Sequence, residues 1–317
     1  MPVLVIDKPA GLSSFAVVKA VARQVRIYRA AGGQGMPDPK RIGHGGTLDP
    51  LATGVLPVCI AEATKLAAFL LDAHKAYEAS VKLGVDTDTL DAEGQIIRER
   101  PVGPLSVADL EAALAAFRGE ISQVPPMYSA LKRDGKPLYA YARAGQEVQR
   151  DPRKVNIFQL RLVAFEPPDH IKFFVECSKG TYIRVLAAEL GERLGVGAHL
   201  TALRRVMSGP FSITQALTLE ELAERCAQPG PLPAIALADA LSQLPAAVLS
   251  AIQTDRVAKG QRLAWSELDP EGQLTTQSVR LLRQDGTLAA VARCSPEGGM
   301  VLQRVFHRED SAESGPV

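Results

Sequence analysis

The chain has 317 residues, of which 46% are hydrophobic, 22% charged and 5% aromatic, with a formal net charge of +1. This is the composition of a globular protein with enough apolar side chains for one large domain or two unequal ones. A net charge near zero does not by itself indicate a nucleic-acid partner. Residues 1–70, however, carry eight Lys and Arg against four acids, which permits a local basic face.

The four cysteines, Cys59, Cys177, Cys226 and Cys294, are scattered and contain no C-x-x-C pair. That spacing argues against a disulfide framework or a zinc site and is typical of a reducing cytosol. The apolar run at residues 3–6 is too short for a signal peptide, and no segment approaches the length of a membrane span. We therefore expect a cytoplasmic protein with no membrane contact and no metal.

The N-terminal 40 residues predict a strand, a helix and a loop. Residues 3–6 form the strand, and Ser13 or Ser14 can cap a helix whose apolar stripe is made by Val17, Val18, Val21 and Val25. Lys19, Arg23 and Arg26 recur at i, i+4 and i+7 and so share one helix face. Such a face is more often solvated than bound, so both interpretations stay open. Residues 30–39 form a loop rich in Gly and Pro.

Residues 43–54, GHGGTLDPLATG, are the most informative segment. Three glycines precede Asp49 within six positions and Pro50 follows it, so the carboxylate lies on a tight loop whose backbone a ligand can approach closely. The apolar run at residues 55–60 then predicts a buried strand. The structural alternative is that Asp49 caps its own turn as an Asx-turn residue.

Further elements follow in chain order. We predict helices at residues 62–71 and 182–194 and after a capping box formed by Ser106 and Asp109, with strands at 77–85, 155–165 and 171–178 and around 204–205. Residues 86–94 look like a calcium loop, but Leu90 occupies a ligand position and no Glu closes the loop, so a polar hairpin loop is the better interpretation. Residues 228–233 are the best linker candidate.

Four places could carry chemistry: Lys8, the His44/Asp49 pair, Tyr77, and the Tyr182/Arg184 pair. Each has an ordinary structural interpretation when taken alone. The chain contains no Walker loop, no G-x-G-x-x-G, no G-x-S-x-G and no H-E-x-x-H.

Five motifs in order decide between these interpretations, because together they resemble the bacterial TruB family of tRNA pseudouridine synthases. They are GHGGTLDPLATGVL at 43–56, KPAG at 8–11, VPPMYSALK at 124–132, CSKGTYIR at 177–184 and ALRR at 202–205. One departure is Gly45, which stands where the family usually has threonine. The chain thus loses a hydroxyl in this loop and gains backbone freedom.

The resemblance implies isomerisation of uridine-55 in the T-loop of tRNA to pseudouridine, with a flipped-out base and no cofactor. It implies that Asp49, Tyr77 and Arg184 are catalytic, and that His44, Tyr77, Tyr182, Leu203 and Lys8 contact or support the substrate. Asp49 is the essential carboxylate, and attack on the sugar, attack on the base and removal of a sugar proton all stay open as its role. The basic helix face and Arg204–Arg205 become candidates for phosphate contacts.

The implied fold is α+β, with a mixed, mainly antiparallel sheet, flanking helices and a small β-rich C-terminal domain. The expected divisions are a catalytic domain at residues 1–243, a β-rich, PUA-like RNA-binding domain at 244–308, and a disordered tail at 309–317. The expected partner is tRNA, bound by a monomer without an obligate protein partner.

Two alternatives remain at this stage. The first is a non-catalytic tRNA-binding or tRNA-folding protein on the same scaffold, which only Gly45 favours. The second is a sugar-processing hydrolase, which needs a second acid placed near Asp49. Glu62 and Asp72, which fall on or after an ordinary helix, do not supply one.

Overall fold

A computed structural model describes residues 2–268, 278–295 and 299–307. The expected tail at 309–317 lies outside the described residues. In chain order the strands of the larger part are β1 Pro2–Lys8, β2 Ile42–His44, β3 Thr53–Ile60, β4 Lys75–Leu83, β5 Val85–Thr87, β6 Ile96–Glu99, β7 Gly119–Gln123, β8 Lys132–Arg133, β9 Lys136–Pro137, β10 Arg153–Glu166, β11 His170–Cys177, β12 Ala198–Ser208, β13 Phe211–Ser212 and β14 Ile235–Ala236.

Helices flank these strands. They are α1 Ser14–Ala30, α2 Ala67–Asp72, α3 Val107–Ala115, α4 Leu138–Ala142, α5 Ile183–Arg193 and α6 Leu219–Cys226, with 3₁₀ turns at Ala61–Leu66, Ile213–Gln215 and Asp239–Leu241. No helix in the described ranges is long and apolar enough to cross a membrane.

The main sheet has the strand order β14-β1-β3-β12-β4-β11-β10-β7, with β2 and β13 paired at its side. Its pairs are antiparallel except for β3 with β12, which run parallel at Arg204 and Arg205. The expected mixed, mainly antiparallel sheet is therefore confirmed.

Both faces of the sheet are covered, which explains why β1 and β3 read as continuous apolar runs. Leu4 and Ile6 of β1 pack with α1 and α6, whereas Val3 and Val5 pack with α2 and the C-terminal sheet. On β4, Tyr77 stands at the end of a buried stripe that packs against α3 and α5. The stripe places Tyr77 where the core meets the site.

Local signals in the sequence account for most boundaries. Ser13 caps α1 by accepting the backbone N–H of Ala16, and Ser106 and Asp109 form the predicted capping box of α3. The predicted strand at 77–85 is divided, because Gly84 turns the chain with a φ of +85° between β4 and β5. The predicted helix at 62–71 begins instead as the 3₁₀ turn that leads into α2.

The C-terminal part contains the short strands β15 Ala246–Val248, β16 Ser278–Leu282, β17 Leu288–Cys294 and β18 Met300–Val305, with helices α7 Ala251–Ala258 and α8 Trp265–Leu268. The four strands form a second, smaller sheet. The predicted linker at 228–233 does not join the two parts, because it is followed by β14, which pairs with β1 at the edge of the main sheet.

Candidate active site

The loop that carries Asp49 is held by the first turn of α1. The buried hydroxyl of Ser14 accepts the backbone N–H of Leu48 at 2.8 Å and lies 3.0 Å from the Leu48 carbonyl, to which it donates. The backbone N–H of Gly11 donates to the Pro50 carbonyl at 2.9 Å. Both residues beside Asp49 are thus anchored, so its carboxylate is presented from a constrained backbone.

Lys8 lies beneath the same loop. Its ammonium donates to the carbonyls of Pro9, Pro50 and Ala52 at 2.9, 3.1 and 2.6 Å, and the residue is fully buried. Burial lowers the pKa of Lys8 to about 8, against an opposing contribution from Asp49. All three donor contacts go to the backbone, and Lys8 supports the loop, which is one of the two roles that the resemblance implied for it.

Arg205 supports the loop from β12. Its guanidinium donates to the carbonyls of Val55 and Gly46 at 2.7 and 3.0 Å, and the residue is 1% exposed. Arg204, the preceding residue on the strand, points elsewhere and forms an ion pair with Asp7 at 2.6 Å. The expectation that Arg205 contacts phosphate is wrong, because its side chain is buried among backbone acceptors.

Asp49 and Arg184 form an ion pair at 3.0 Å. The Arg184 side chain is only 6% exposed, while that of Asp49 is 43% exposed, so the carboxylate can be reached from solvent and the guanidinium cannot. The resemblance implied that both residues are catalytic, and α5 places Arg184 beside Asp49, because Arg184 lies in the first turn of that helix. A guanidinium keeps its charge when buried and is well suited to hold a carboxylate.

A second carboxylate completes the arrangement, and sequence reasoning missed it. Arg184 contacts Asp91 at 3.1 Å and also donates to the carbonyls of Thr89 and Tyr128. Asp91 is 2% exposed and accepts hydrogen bonds from the Thr89 hydroxyl and the Glu93 backbone. It belongs to the hairpin between β5 and β6, the segment that resembles a calcium loop. The signal for Asp91 in the sequence was the run of acidic residues at 86–94, which does not match a calcium-binding loop.

The electrostatic balance at Asp49 follows from these contacts. Burial raises the pKa of the Asp49 carboxyl above its ordinary value of 3.8; Arg184 opposes that shift, and Asp91 adds to it. Asp91 is bound to Arg184 and does not line the cavity, so it is not the free second acid that a glycoside hydrolase requires.

Tyr77 lies in the same cavity and is 9% exposed. Burial raises the pKa of its phenol, and the Arg205 guanidinium acts in the opposite direction. The Tyr77 ring lies at the end of the buried stripe of β4, so packing of the core determines the position of the ring.

Tyr182 and Leu203 complete the wall of the cavity. The backbone of Tyr182 is held by Gln123, whose side-chain oxygen accepts its N–H at 3.1 Å. Burial raises the pKa of Tyr182. His44, the last residue of β2, lies outside this wall; its Nδ1 accepts the backbone N–H of Gly46 at 3.4 Å, and burial lowers its pKa.

The cavity has a volume of about 510 Å³ and brings together Asp49, Tyr77, Tyr182, Arg184 and Leu203. This volume falls in the range of small-molecule and nucleoside sites. A larger cavity of about 710 Å³ lies between the loop after α1 and residues 226–231, but no charged side chain lines it. The chemistry-bearing residues therefore converge on the smaller cavity.

Among the residues that the structure describes, no group of three or more His, Cys, Asp or Glu side chains is arranged to hold a metal ion. The polar groups that meet here include the Asp49 carboxylate, the Arg184 guanidinium, the Lys75 ammonium and the phenols of Tyr77 and Tyr182. Such a set can position a sugar or a base, stabilise charge and move protons.

Comparison with known proteins gives consistent matches. Residues 35–183 match the model of the TruB family pseudouridylate synthase N-terminal domain, and residues 184–244 match that of the tRNA pseudouridylate synthase B C-terminal domain. The tRNA pseudouridine synthase B of Burkholderia mallei (strain NCTC 10247) is 48% identical over 309 residues, which cover 96% of each chain. That of Cupriavidus pinatubonensis is 47% identical over 91% of this chain and 85% of its own.

A solved structure is also similar. The crystal structure of a Cbf5-Nop10-Gar1 complex contains a chain that matches with a TM-score of 0.74 and 25% sequence identity, over 96% of this chain and 85% of that one. The expected fold is confirmed by this likeness as well as by the sheet order.

Proposed function

The chain belongs to the TruB family and is a tRNA pseudouridine synthase, and from that premise we propose that it converts uridine-55 in the T-loop of tRNA to pseudouridine with Asp49 as its essential carboxylate. The observation that carries the assignment to this cavity is the Asp49–Arg184 ion pair at 3.0 Å, with its exposed carboxylate and buried guanidinium. It is the one place in the described residues where every predicted catalytic side chain meets.

The reaction is an internal transfer. The bond between C1′ of the ribose and N1 of the uracil breaks, the base turns, and a bond from C1′ to C5 forms. The C5 proton leaves and N1 gains one, so nothing is oxidised and no group is imported. The protein must therefore hold a detached base in place, stabilise the charge that develops, and move one proton.

Asp49 faces the reacting sugar and base, and Arg184 sets its charge and direction. We assign Tyr77 to stacking on the target base and to the proton transfer at C5. Burial raises the pKa of Tyr77, so its phenol holds its own proton and can take the C5 proton only as a relay, passing the O–H proton on to N1 or to a water; the nearby Arg205 guanidinium stabilises the phenolate character that develops during this transfer. Tyr182 and Leu203 form the wall against which the base lies.

A uridine in a tRNA loop must leave its stack to reach this cavity, at a cost of a few kcal/mol. Stacking on Tyr77 returns roughly 1–3 kcal/mol of that cost. We propose that His44, which lies outside the cavity wall beside the catalytic loop, fills the gap that the flipped base leaves. The exchange of one stacked group for another keeps the net cost of flipping small.

The competing function is a non-catalytic tRNA-binding or tRNA-folding protein. Its one support was Gly45, which makes the loop look less preorganised than in the family. In the structure a Cβ on Gly45 would approach the Leu70 side chain to 2.8 Å, so the space of the missing side chain is filled. Together with the Asp49–Arg184 pair, this favours the catalytic function.

The test is incubation with unmodified tRNA followed by carbodiimide mapping of pseudouridine. We expect the wild type to form pseudouridine at the T-loop uridine and Asp49→Asn to form none. Asp49→Asn should still bind tRNA with a Kd within about threefold of the wild-type value. Asp72→Asn, an exposed carboxylate outside the cavity lining, is the matched control and should react normally. Appreciable turnover by Asp49→Asn would overturn the assignment. A wild type that binds tRNA without making product would establish the competing function.

We further propose that the protein acts in the cytoplasm as a monomer without an obligate protein partner, and that residues 244–308 form an RNA-binding domain of the PUA type. The RNA-binding assignment is supported by the packing of the smaller sheet. Leu288, Val291 and Phe306 pack on the core next to α2, which leads into β4 and the cavity. Light scattering on the purified protein, alone and with tRNA, tests the monomer. Footprinting of the complex tests the domain.

A further inference from the structure

Two aromatic rings are stacked on the surface beside the cavity. The rings of His74 and Phe158 have centroids 4.1 Å apart and planes inclined by 27°. Phe158 is 45% exposed and His74 is exposed as well. Buried aromatic pairs need no special explanation, but a stacked pair that remains open to solvent presents a flat apolar surface without a covering element.

A β-bulge puts Phe158 in this position. The pairing of β10 with β11 shifts register between Ile157 and Gln159, so Phe158 is the additional residue. Buried positions on β10 accordingly change from Val155 and Ile157 before the bulge to Leu160 after it. Bulges occur frequently beside functional sites, where they redirect a side chain. Here the redirected side chain is the exposed ring.

The backbone under both rings is fixed. The carbonyl of His74 accepts the backbone N–H of Gly209 at 2.8 Å. Next to Phe158, Asn156 and Ser178 exchange two hydrogen bonds, one through the Ser178 hydroxyl and one between backbones. The stack is therefore a preorganised surface, and a ligand that uses it loses little entropy to ordering of the protein.

Neither ring lines the cavity, but both lie close in the chain or through hydrogen bonds to residues that do. His74 directly precedes Lys75, and Ser178, which is bonded to Asn156 two residues before Phe158, stands two residues before Gly180; Lys75, Ser178 and Gly180 all line the cavity. Leu71, which is 47% exposed, lines it too and extends the apolar surface towards the rim. A nucleotide adjacent to one held in the cavity would thus meet this surface.

The charge next to the stack suits a polyanion. Lys179 pairs with Asp72 at 2.8 Å, but the two side chains are 60% and 64% exposed. An exposed pair of this kind is worth little and is readily exchanged for a phosphate contact. RNA-binding proteins commonly combine an aromatic surface for an unpaired base with a cation for its phosphate.

We propose that the His74–Phe158 stack binds an unpaired nucleobase of the RNA substrate, next to the nucleotide held in the cavity, with Lys179 on the adjoining phosphate. The proposal rests on the proposed function, since it extends the binding site of the same RNA. The proposed contact is between a nucleobase and an aromatic ring. Binding therefore requires an aromatic side chain at position 158 and not merely an apolar one.

The experiment compares Phe158→Leu with Phe158→Trp in the full-length protein, using a T-arm stem-loop RNA and the whole tRNA. We expect Phe158→Leu to weaken Kd by roughly five- to a hundredfold and Phe158→Trp to retain wild-type binding. Val163→Ala, another exposed apolar residue of β10, is the matched control and should leave Kd unchanged. Melting temperatures of all variants separate a loss of binding from a loss of folding.

Abasic substitution at each unpaired loop position of the RNA then identifies the base. At one position, the abasic RNA should bind the wild type more weakly than the intact RNA does. Phe158→Leu should bind the same abasic RNA and the intact RNA with equal Kd. The proposal is wrong if Phe158→Leu binds the RNA with the wild-type Kd, whether or not its melting temperature falls. If wild-type protein makes pseudouridine in the same assay while the variants bind equally, only this proposal fails. If it makes none, the proposed function fails first.

Discussion

Arg184 contacts Asp91 at 3.1 Å through the guanidinium nitrogen that does not touch Asp49. One buried cation therefore joins a carboxylate in the cavity to a carboxylate in a hairpin 42 residues further along the chain. Because Asp91 is itself held by Thr89 and Glu93, the hairpin determines where Arg184 points and, through it, where Asp49 points.

Asp91→Asn should reduce kcat while changing tRNA affinity by less than about threefold. The amide keeps the shape of the side chain but loses the charge, which leaves Arg184 free to shift, and a displacement of about 1 Å at a reacting group can cost a hundredfold in rate. Single-turnover rates and Kd separate the two effects. Asp88→Asn, in the same hairpin and without contact to Arg184, should behave as wild type. A Kd change as large as the rate change would contradict the positioning role.

Arg184→Met should move the acid limb of the pH–rate profile to higher pH. Asp49 acts as a carboxylate, so activity is lost as pH falls through its pKa. Burial and Asp91 raise that pKa while Arg184 lowers it, and removing Arg184 leaves the upward contributions opposed only by the weaker effect of Lys8. Arg184→Lys keeps the charge without the planar fork and should lie between the two. An acid limb that does not move would show that Asp49 does not control it.

Ser14→Ala should lower both kcat and stability, because it leaves the backbone groups of buried Leu48 without their partner, at a cost of about 1–3 kcal/mol. The neighbouring Ser13→Ala removes the cap of α1 and should cost about 1 kcal/mol of stability alone. Denaturant unfolding and single-turnover rates are measured on both variants. Equal rates for the two would mean that the Leu48 contact does not orient Asp49.

Gly45→Thr should destabilise this protein, although threonine is the residue the family usually has there. A Cβ at Gly45 would lie 2.8 Å from the Leu70 Cβ, and overpacking of this kind costs about 1–3 kcal/mol. Leu70→Gly removes the contacting Cβ, so the double variant should lose less stability than the sum of the two single losses, and a double-mutant cycle measures this coupling. Gly43→Ala, where nothing lies within 4 Å, is the control. Additive effects of the two substitutions would refute the steric explanation.

Replacing Lys19, Arg23 and Arg26 of α1 by Gln should reduce the salt dependence of tRNA binding. All three are exposed, and among the residues that the structure describes no carboxylate pairs with them. Each lost phosphate contact should lower the slope of log K against log salt by about 0.7–0.9. The same charge change at Lys40, Arg118 and Lys172, which pair with carboxylates, is the control. An unchanged slope would leave the face as solvated surface.

Local periodicity and capping predicted the elements on which the site stands. Patterns among neighbours in sequence predicted the strand β1, the capped helices α1 and α3, and the strand β4 that carries Tyr77. The five ordered motifs added the family, and with it Asp49, Tyr77 and Arg184 as candidate catalytic residues. The boundaries that differ, at Gly84 and in the 3₁₀ turn before α2, reflect backbone geometry that residue type alone does not determine.

Local patterns and the order of the motifs were enough to predict the fold class and the family, and they identified Asp49 as the candidate carboxylate. The different surroundings of Arg205, which is buried, and Arg204, which pairs with Asp7, became visible in the folded chain, since neighbouring residues of a strand point to opposite faces. The tertiary structure alone brought Asp91 to Arg184 and His74 to Phe158. These pairs join segments far apart in the chain, and their contacts depend on strand register and loop packing, which no local pattern encodes.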